Sequence, residues 1–225
     1  VPDVVPLTLC EKAIEAIVEY LDIDLSDDRT WYRQAHSGHG IVPLHHHQAF
    51  WDIRQSERVH EVFTALYDDE RLWVSMDRAS YKPPGSSQSS DWQEAGVHWD
   101  CDPFVQNELS LQGLVYLTDT RPDQGAFCCV PSIYQNLTDY LVAHKDDSDR
   151  RKPNVDSADL LSIEGPAGSL VVFNRLMPHS SGLNHSMDHR FVQYVTMQPI
   201  GTENERTQRV REWSGKLPPQ WAVEQ

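Results

Sequence analysis

Leu109-Ser110-Leu111-Gln112-Gly113-Leu114-Val115-Tyr116-Leu117-Thr118 alternates between two unlike faces. In a strand every second side chain points to the same side. Leu109, Leu111, Gly113, Val115 and Leu117 therefore make an apolar face, and Ser110, Gln112, Leu114, Tyr116 and Thr118 make a mixed, polar one. Two readings of the second face compete. Exposure to water suits a sheet that packs on one side only. A wall for an internal polar cavity suits a barrel.

Similar short runs lie on either side of this stretch. Leu72–Tyr81, Gly96–Asp100, Ala126–Pro131, Ser169–Asn174 and Arg190–Pro199 read as strands, separated by Pro83-Pro84-Gly85, by the turn from Arg121 to Gly125, and by Gly165-Pro166-Ala167-Gly168. Upstream, Leu9, Ala13, Ile14, Ile17, Val18 and Leu21 recur at helical spacing and predict a helix over Leu7–Leu21. Thr8 with Glu11 three residues later reads as its capping box. A second helix is predicted from Ser56, its cap, to Leu66, with Val59, Val62 and Phe63 on the apolar stripe. Thr30 to Trp51 reads as strand and loop, and Ser132 to His144 as a helix followed by a polar excursion, Lys145 to Asp159. The tail from Thr202 is polar, with Trp213 and Trp221 expected to dock on the body. Helices first and many short strands later predict an α+β fold, mainly β, built as a sandwich or barrel. The whole chain, 1–225, is expected to form a single domain: a helical part to about residue 70, a β core to about residue 200, and the tail from 201.

Composition narrows the class of partner. Thirty-four acids against nineteen bases leave a formal charge of −15 over 225 residues, which repels nucleic acid and anionic membranes. The one dense basic cluster, Arg150-Arg151-Lys152, sits among Asp147, Asp149 and Asp156 and reads as a solvated loop. No apolar run approaches the ~18–20 residues of a membrane span, and no basic and apolar leader opens at Val1, so no signal peptide is expected. Cys10, Cys101, Cys128 and Cys129 show no C-x-x-C pair, which predicts reduced thiols and a cytoplasmic location. A small-molecule substrate is the expected partner.

The chemistry is concentrated in a few positions. His98 and Asp100 flank Trp99 at the end of a predicted strand, so both project from one face and can reach one ion. His179 lies far downstream, just past the apolar run Leu170–Phe173. Two imidazoles and one carboxylate form the facial triad that leaves open positions on iron(II). Arg190 heads the last long strand and shares a face with Val192, Tyr194, Thr196 and Gln198. A guanidinium inside a barrel is costly unless paired, and the far carboxylate of a diacid would pair with it. The plainer alternative is a bridge to a core carboxylate.

Taken together the motifs resemble the phytanoyl-CoA dioxygenase-like family of iron(II)/2-oxoglutarate-dependent oxygenases. The resemblance spans about Trp73 to Pro199. It rests on Lys82-Pro83-Pro84, Val97-His98-Trp99-Asp100, Gly113 to Asp119, Asp123-Gln124-Gly125-Ala126-Phe127, Val130-Pro131-Ser132, His179 to Ser186, and Arg190. It implies a double-stranded β-helix, a jelly-roll or cupin-like barrel, with N-terminal helices packed on one sheet. It further implies His98, Asp100 and His179 as iron ligands, and Arg190, Ser181, Tyr116 and Arg78 as contacts of 2-oxoglutarate. Dioxygen would be the oxidant, and hydroxylation or another C–H oxidation would accompany conversion of 2-oxoglutarate to succinate. Asp100 argues against a halogenase, since halogenating relatives lack a carboxylate there. The sequence departs from the family at Trp99, often Gln in members acting on coenzyme A thioesters, and at Ser132-Ile133-Tyr134, where Gly-x-His is expected after Val-Pro. Both departures leave the substrate open.

Three other signals have ordinary readings. His45-His46-His47 reads as loop and surface, or as one side of a substrate entrance, and His36 and His39 likewise. Trp51, Trp73 and Trp92 read as core or cover. Ser180 and Ser181 lack the G-x-S-x-G elbow of a nucleophilic hydrolase. A zinc hydrolase could use the same three ligands, but it gives Arg190 no task. A metal-binding β-helix protein without turnover, acting as a sensor, is the competing class.

Overall fold

The computed structural model describes residues 1–32, 40–85, 96–105, 109–147 and 149–223. His36, His39 and Trp92 lie outside these residues. Among the described residues, seven α-helices and ten strands follow one another as α1 (Leu7–Leu21), β1 (Ile41–Val42), α2 (Gln48–Arg54), α3 (Glu57–Tyr67), β2 (Leu72–Val74), β3 (Ala79–Lys82), β4 (Leu111–Tyr116), β5 (Phe127–Cys129), α4 (Pro131–Gln135), α5 (Leu137–Ala143), β6 (Leu161–Ile163), β7 (Leu170–Asn174), β8 (His179–Ser181), β9 (Arg190–Tyr194), β10 (Met197–Pro199), α6 (Glu203–Gly215) and α7 (Gln220–Val223). This is the α+β class expected, with every strand pairing antiparallel.

A five-stranded sheet runs β1-β3-β9-β4-β7, and a three-stranded sheet runs β6-β5-β8. A short β10–β2 pair extends beside them. The alternation of the opening stretch sorts its side chains between two cores. Leu111, Val115 and Leu117 pack with Ala13 and Ile17 of α1, Phe50 and Ile53 of α2, and Val59 and Phe63 of α3. Leu114 and Tyr116 instead join Val192 of β9 and Phe127 and Cys129 of β5 between the two sheets. The mixed face is thus internal and not solvated. Gly113 makes the helical layer fit. A Cβ there would stand 2.8 Å from Val195 O, 3.0 Å from Val171 O and 3.2 Å from Phe63 Cζ, so any side chain would push α3 off the sheet.

Several local expectations are corrected. Pro6, with its ring-fixed φ of −58°, is the N-cap of α1, two residues before Thr8, so Thr8 and Glu11 lie inside the helix and form no capping box. The capping box that does form joins Thr202 and Glu205 at the head of α6. The stretch Thr30 to Trp51 holds β1 and the start of α2, a helix capped by His47, whose Nδ1 accepts from Ala49 N at 3.2 Å. Leu72–Tyr81 and Arg190–Pro199 each divide in two, at the same level, where Ser75 N donates to Thr196 O at 2.7 Å and both chains leave one sheet for another. Gly96–Asp100 is not a strand; only His98 pairs, with His179. The helix over Ser132–His144 breaks at Asn136 into α4 and α5. Trp221 docks as expected, under the Arg78 guanidinium at 5.1 Å, whereas Trp213 is 51% exposed, with Lys216 of its own tail 5.0 Å over its ring. Arg209, stacked 5.2 Å over Trp73, holds α6 in its place.

All four cysteines are free. No helix among the described residues is long and apolar enough to cross a membrane.

Candidate metal centre

His98 and His179 face each other across a reciprocal backbone pair. His98 N donates to His179 O at 2.9 Å, and His179 N donates to His98 O at 3.0 Å. Directly opposed residues share a face, and the ring centroids lie 4.8 Å apart. Asp100, two residues on from His98, closes the triangle: Oδ1 is 3.4 Å from His98 Nε2, and Oδ2 is 3.5 Å from His179 Nε2. Among the described residues this is the group of potential ligands found together, its donor atoms all within 4.8 Å of one another. Trp99 points the other way. Its indole N–H donates to Leu176 O at 2.8 Å inside a separate cluster with Val130 and Ile133.

The outer hydrogen bonds select the ligand atoms. Nδ1 of His98 lies 2.9 Å from Gly96 O and Nδ1 of His179 lies 3.0 Å from Met177 O. A carbonyl only accepts, so each Nδ1 carries the proton and each Nε2 keeps its lone pair for a cation. Burial opposes ionisation of Asp100, but hydrogen bonds that the His179 and His98 rings give when an Nε2 proton is present, and that of the Gln112 amide, outweigh it and hold the carboxyl far below the ordinary carboxylate range; a divalent cation would take the place of those Nε2 protons. Two neutral imidazoles and an ionised carboxylate suit a divalent metal.

Gln112, from the mixed face of β4, donates its amide N–H to Asp100 Oδ2 at 2.7 Å. Its role was hidden in sequence, where only its place beside Tyr116 on that face hinted at it. With one oxygen engaged in this way, the carboxylate is steered toward binding through the other. Gln112→Leu keeps the shape and deletes the donor. It is expected to weaken divalent-metal binding by about 10–100-fold, the usual effect of losing an outer partner, in a metal titration that leaves the secondary structure unchanged.

The remaining candidate residues lie on neighbouring strands of the two sheets. On β8, Ser181 shares a face with His179. On β9, Arg190 is wholly buried and donates Nη1 to Ser80 Oγ at 2.9 Å, while its Nε and Nη2 have no partner among the described residues. Register sets Lys82 opposite Arg190 and Ser80 opposite Val192. Tyr116 lies buried in the same interior, but its hydroxyl donates to Ile163 O at 2.6 Å and accepts from Phe127 N at 3.0 Å. Its single proton is therefore committed to joining the two sheets, and what it offers a small molecule is its ring. Arg78 turns toward Trp221 and Asp77, its Nε 3.7 Å from Asp77 Oδ1. The histidine run serves the scaffold: His45 is bonded to Met76 O, His46 to Leu217 O, and His47 caps α2. Arg150 stacks 4.2 Å from Phe104 and lies 3.4 Å from Asp102, a paired surface cation.

Comparison with known proteins agrees with this geometry. The family profile described as Phytanoyl-CoA dioxygenase (PhyH) matches residues 8–192. A Dictyostelium discoideum protein carrying the provisional name phytanoyl-CoA dioxygenase is 23% identical over 245 aligned positions, covering 87% of this chain and 70% of the relative. Among solved structures, the hypothetical protein JW0805 from Escherichia coli superposes with a TM-score of 0.69 at 19% identity, over 97% of this chain and 72% of that one. The epimerase SnoN, solved with Fe3+, alpha ketoglutarate and nogalamycin RO, gives 0.60 at 12% identity, over 88% and 77%. With the profile running through the metal triangle and on past Arg190, the chain belongs to the phytanoyl-CoA dioxygenase family.

Proposed function

We propose that the protein is an iron(II)- and 2-oxoglutarate-dependent dioxygenase that hydroxylates, or otherwise oxidises, a C–H bond of a small organic molecule. The observation that carries this reading is Arg190: a fully buried guanidinium on β9 with two N–H groups unpartnered among the described residues, whose ladder partner Lys82 reaches across to Ser181 on the strand of His179. A buried donor left unmade costs about 1–3 kcal/mol, so the pocket is built for an acceptor that arrives from outside. The far carboxylate of 2-oxoglutarate has the required geometry and charge. A zinc hydrolase would leave those donors idle.

The fold supports the same reading. The five-stranded order β1-β3-β9-β4-β7 facing β6-β5-β8, with His98 bridged to the free side of β8, supports reading the core as a double-stranded β-helix. The helical layer, β core and C-terminal helices are read as one domain over 1–225. Four free thiols fit a cytoplasmic, reducing setting.

In this reading His98, Asp100 and His179 would hold the metal. Arg190 and the Ser181 hydroxyl bind the far carboxylate, which fixes the cosubstrate's orientation. Phe127, stacked on His179 at 5.7 Å between ring centroids, and Phe173, tilted against it at 4.6 Å, would exclude water from behind that ligand. The Tyr116 ring would line the cosubstrate pocket, and Arg78 would reach it only by turning away from Asp77 and Trp221. Bound iron(II) would supply the redox chemistry that couples dioxygen and decarboxylation of 2-oxoglutarate, giving succinate and carbon dioxide, to oxidation of the substrate C–H bond. The expected result is succinate and carbon dioxide formed from 2-oxoglutarate only when iron(II) and dioxygen are both supplied. Turnover of a substrate at full rate with no 2-oxo acid present would overturn the proposal.

A further inference from the structure

The Lys82 side chain crosses from the five-stranded sheet to the three-stranded one. It is 1% exposed, and its ammonium donates to Ser181 Oγ at 3.0 Å, to Ser181 O at 3.0 Å and to Gly182 O. The chain makes room for it. Gly125, at φ +76°, lies so close that a Cβ there would be 3.0 Å from Lys82 Cδ and 3.0 Å from Gly182 O. A lysine held this tightly, opposite Arg190 in the ladder, has a more specific effect than adding positive charge.

An ammonium has protons and no lone pairs, so toward Lys82 the Ser181 hydroxyl must act as acceptor. That leaves its own proton pointing elsewhere. We propose that Lys82 is a positioning residue of the cosubstrate pocket: by occupying a lone pair of Ser181 Oγ, it turns the Ser181 proton toward the far carboxylate that Arg190 awaits. The inference rests on the cosubstrate reading given above and deepens it. Lys82 need not touch the cosubstrate. It converts a hydroxyl that could rotate freely into a fixed donor beside the second imidazole ligand.

The test is an anaerobic titration of the iron(II)-loaded protein, followed through the visible charge-transfer band of a chelated 2-oxo acid. Two probes are compared, 2-oxoglutarate and 2-oxobutyrate, which chelates identically but lacks the far carboxylate. In Lys82→Met the dissociation constant for 2-oxoglutarate is expected to rise about tenfold, the worth of one charge-assisted hydrogen bond, while that for 2-oxobutyrate stays as it was. Ser181→Ala should show the same selectivity, and the double variant should be no weaker than either single one, because all three lose the same proton donor. Should Lys82→Met fail to fold, Lys82→Gln keeps a donor to Ser181 and should bind 2-oxoglutarate nearly as the unaltered protein does. Equal weakening toward both probes, additive losses in the double variant, or unchanged 2-oxoglutarate binding in Lys82→Met would each overturn the role given to Lys82. Absence of any band in the unaltered protein would overturn the cosubstrate reading itself, and this inference with it.

Discussion

Asp100→Ala is expected to abolish iron-dependent formation of succinate from 2-oxoglutarate, with a loss well beyond the roughly 100-fold that follows removal of an outer hydrogen-bond partner. Asp100 is the sole carboxylate of the triangle and lies between the two imidazoles, 3.4 Å from one Nε2 and 3.5 Å from the other. Without it His98 and His179 remain opposed by their backbone pair, but nothing anionic balances a divalent ion, and the Gln112 amide loses its acceptor. Two neutral ligands hold iron(II) weakly. The fold should survive, because Trp99 and the His98–His179 backbone pair, which organise this loop, do not depend on the carboxylate. A variant that keeps native circular dichroism, loses stoichiometric metal binding and makes no succinate is the expected outcome.

Arg190→Met should separate stability from function. In the protein without cosubstrate the guanidinium is buried with two N–H groups unpartnered among the described residues, so replacing it with an apolar chain of similar length removes a desolvation cost. The variant is therefore expected to unfold in urea at the same concentration as the parent, or a higher one. Binding of 2-oxoglutarate should weaken by about 100-fold, since a bidentate charge-assisted pair worth about 3 kcal/mol is lost. Metal affinity without cosubstrate should not change. A destabilised variant with intact 2-oxoglutarate binding would show that the arginine serves the core instead. The pair of measurements discriminates because a structural and a ligand-binding arginine move them in opposite directions.

Some of this was legible from residue patterns. The helical spacing of Leu9, Ala13, Ile17 and Leu21 gave α1 its observed bounds, because a long amphipathic helix writes its buried face into the sequence. The alternation around Gly113 was equally direct, and the internal position of its mixed face follows from one sheet covering another. The short elements were not readable. β6 and β8 are three residues each, too brief for alternation, and β8 is His-Ser-Ser, a strand made of polar residues because its side chains serve the site. α2 spans two turns, and its cap is a histidine, which is not a usual capping residue. The candidate metal ligands were visible through spacing joined to a family resemblance, and the structure brings them together. Gln112 and Lys82 were not visible as parts of the site. Their contacts, to Asp100 and to Ser181, connect elements that no local pattern relates.

The central claim is that one pocket holds a metal through His98, Asp100 and His179 and, beside it, a dicarboxylic 2-oxo acid through Arg190. The most direct measurement is the anaerobic absorption spectrum of the iron(II)-loaded protein as 2-oxoglutarate is added. The account predicts a saturable visible band with one equivalent bound, lost in Asp100→Ala and shifted to much higher 2-oxoglutarate in Arg190→Met. An iron-loaded protein whose spectrum does not change at any 2-oxoglutarate concentration would contradict it.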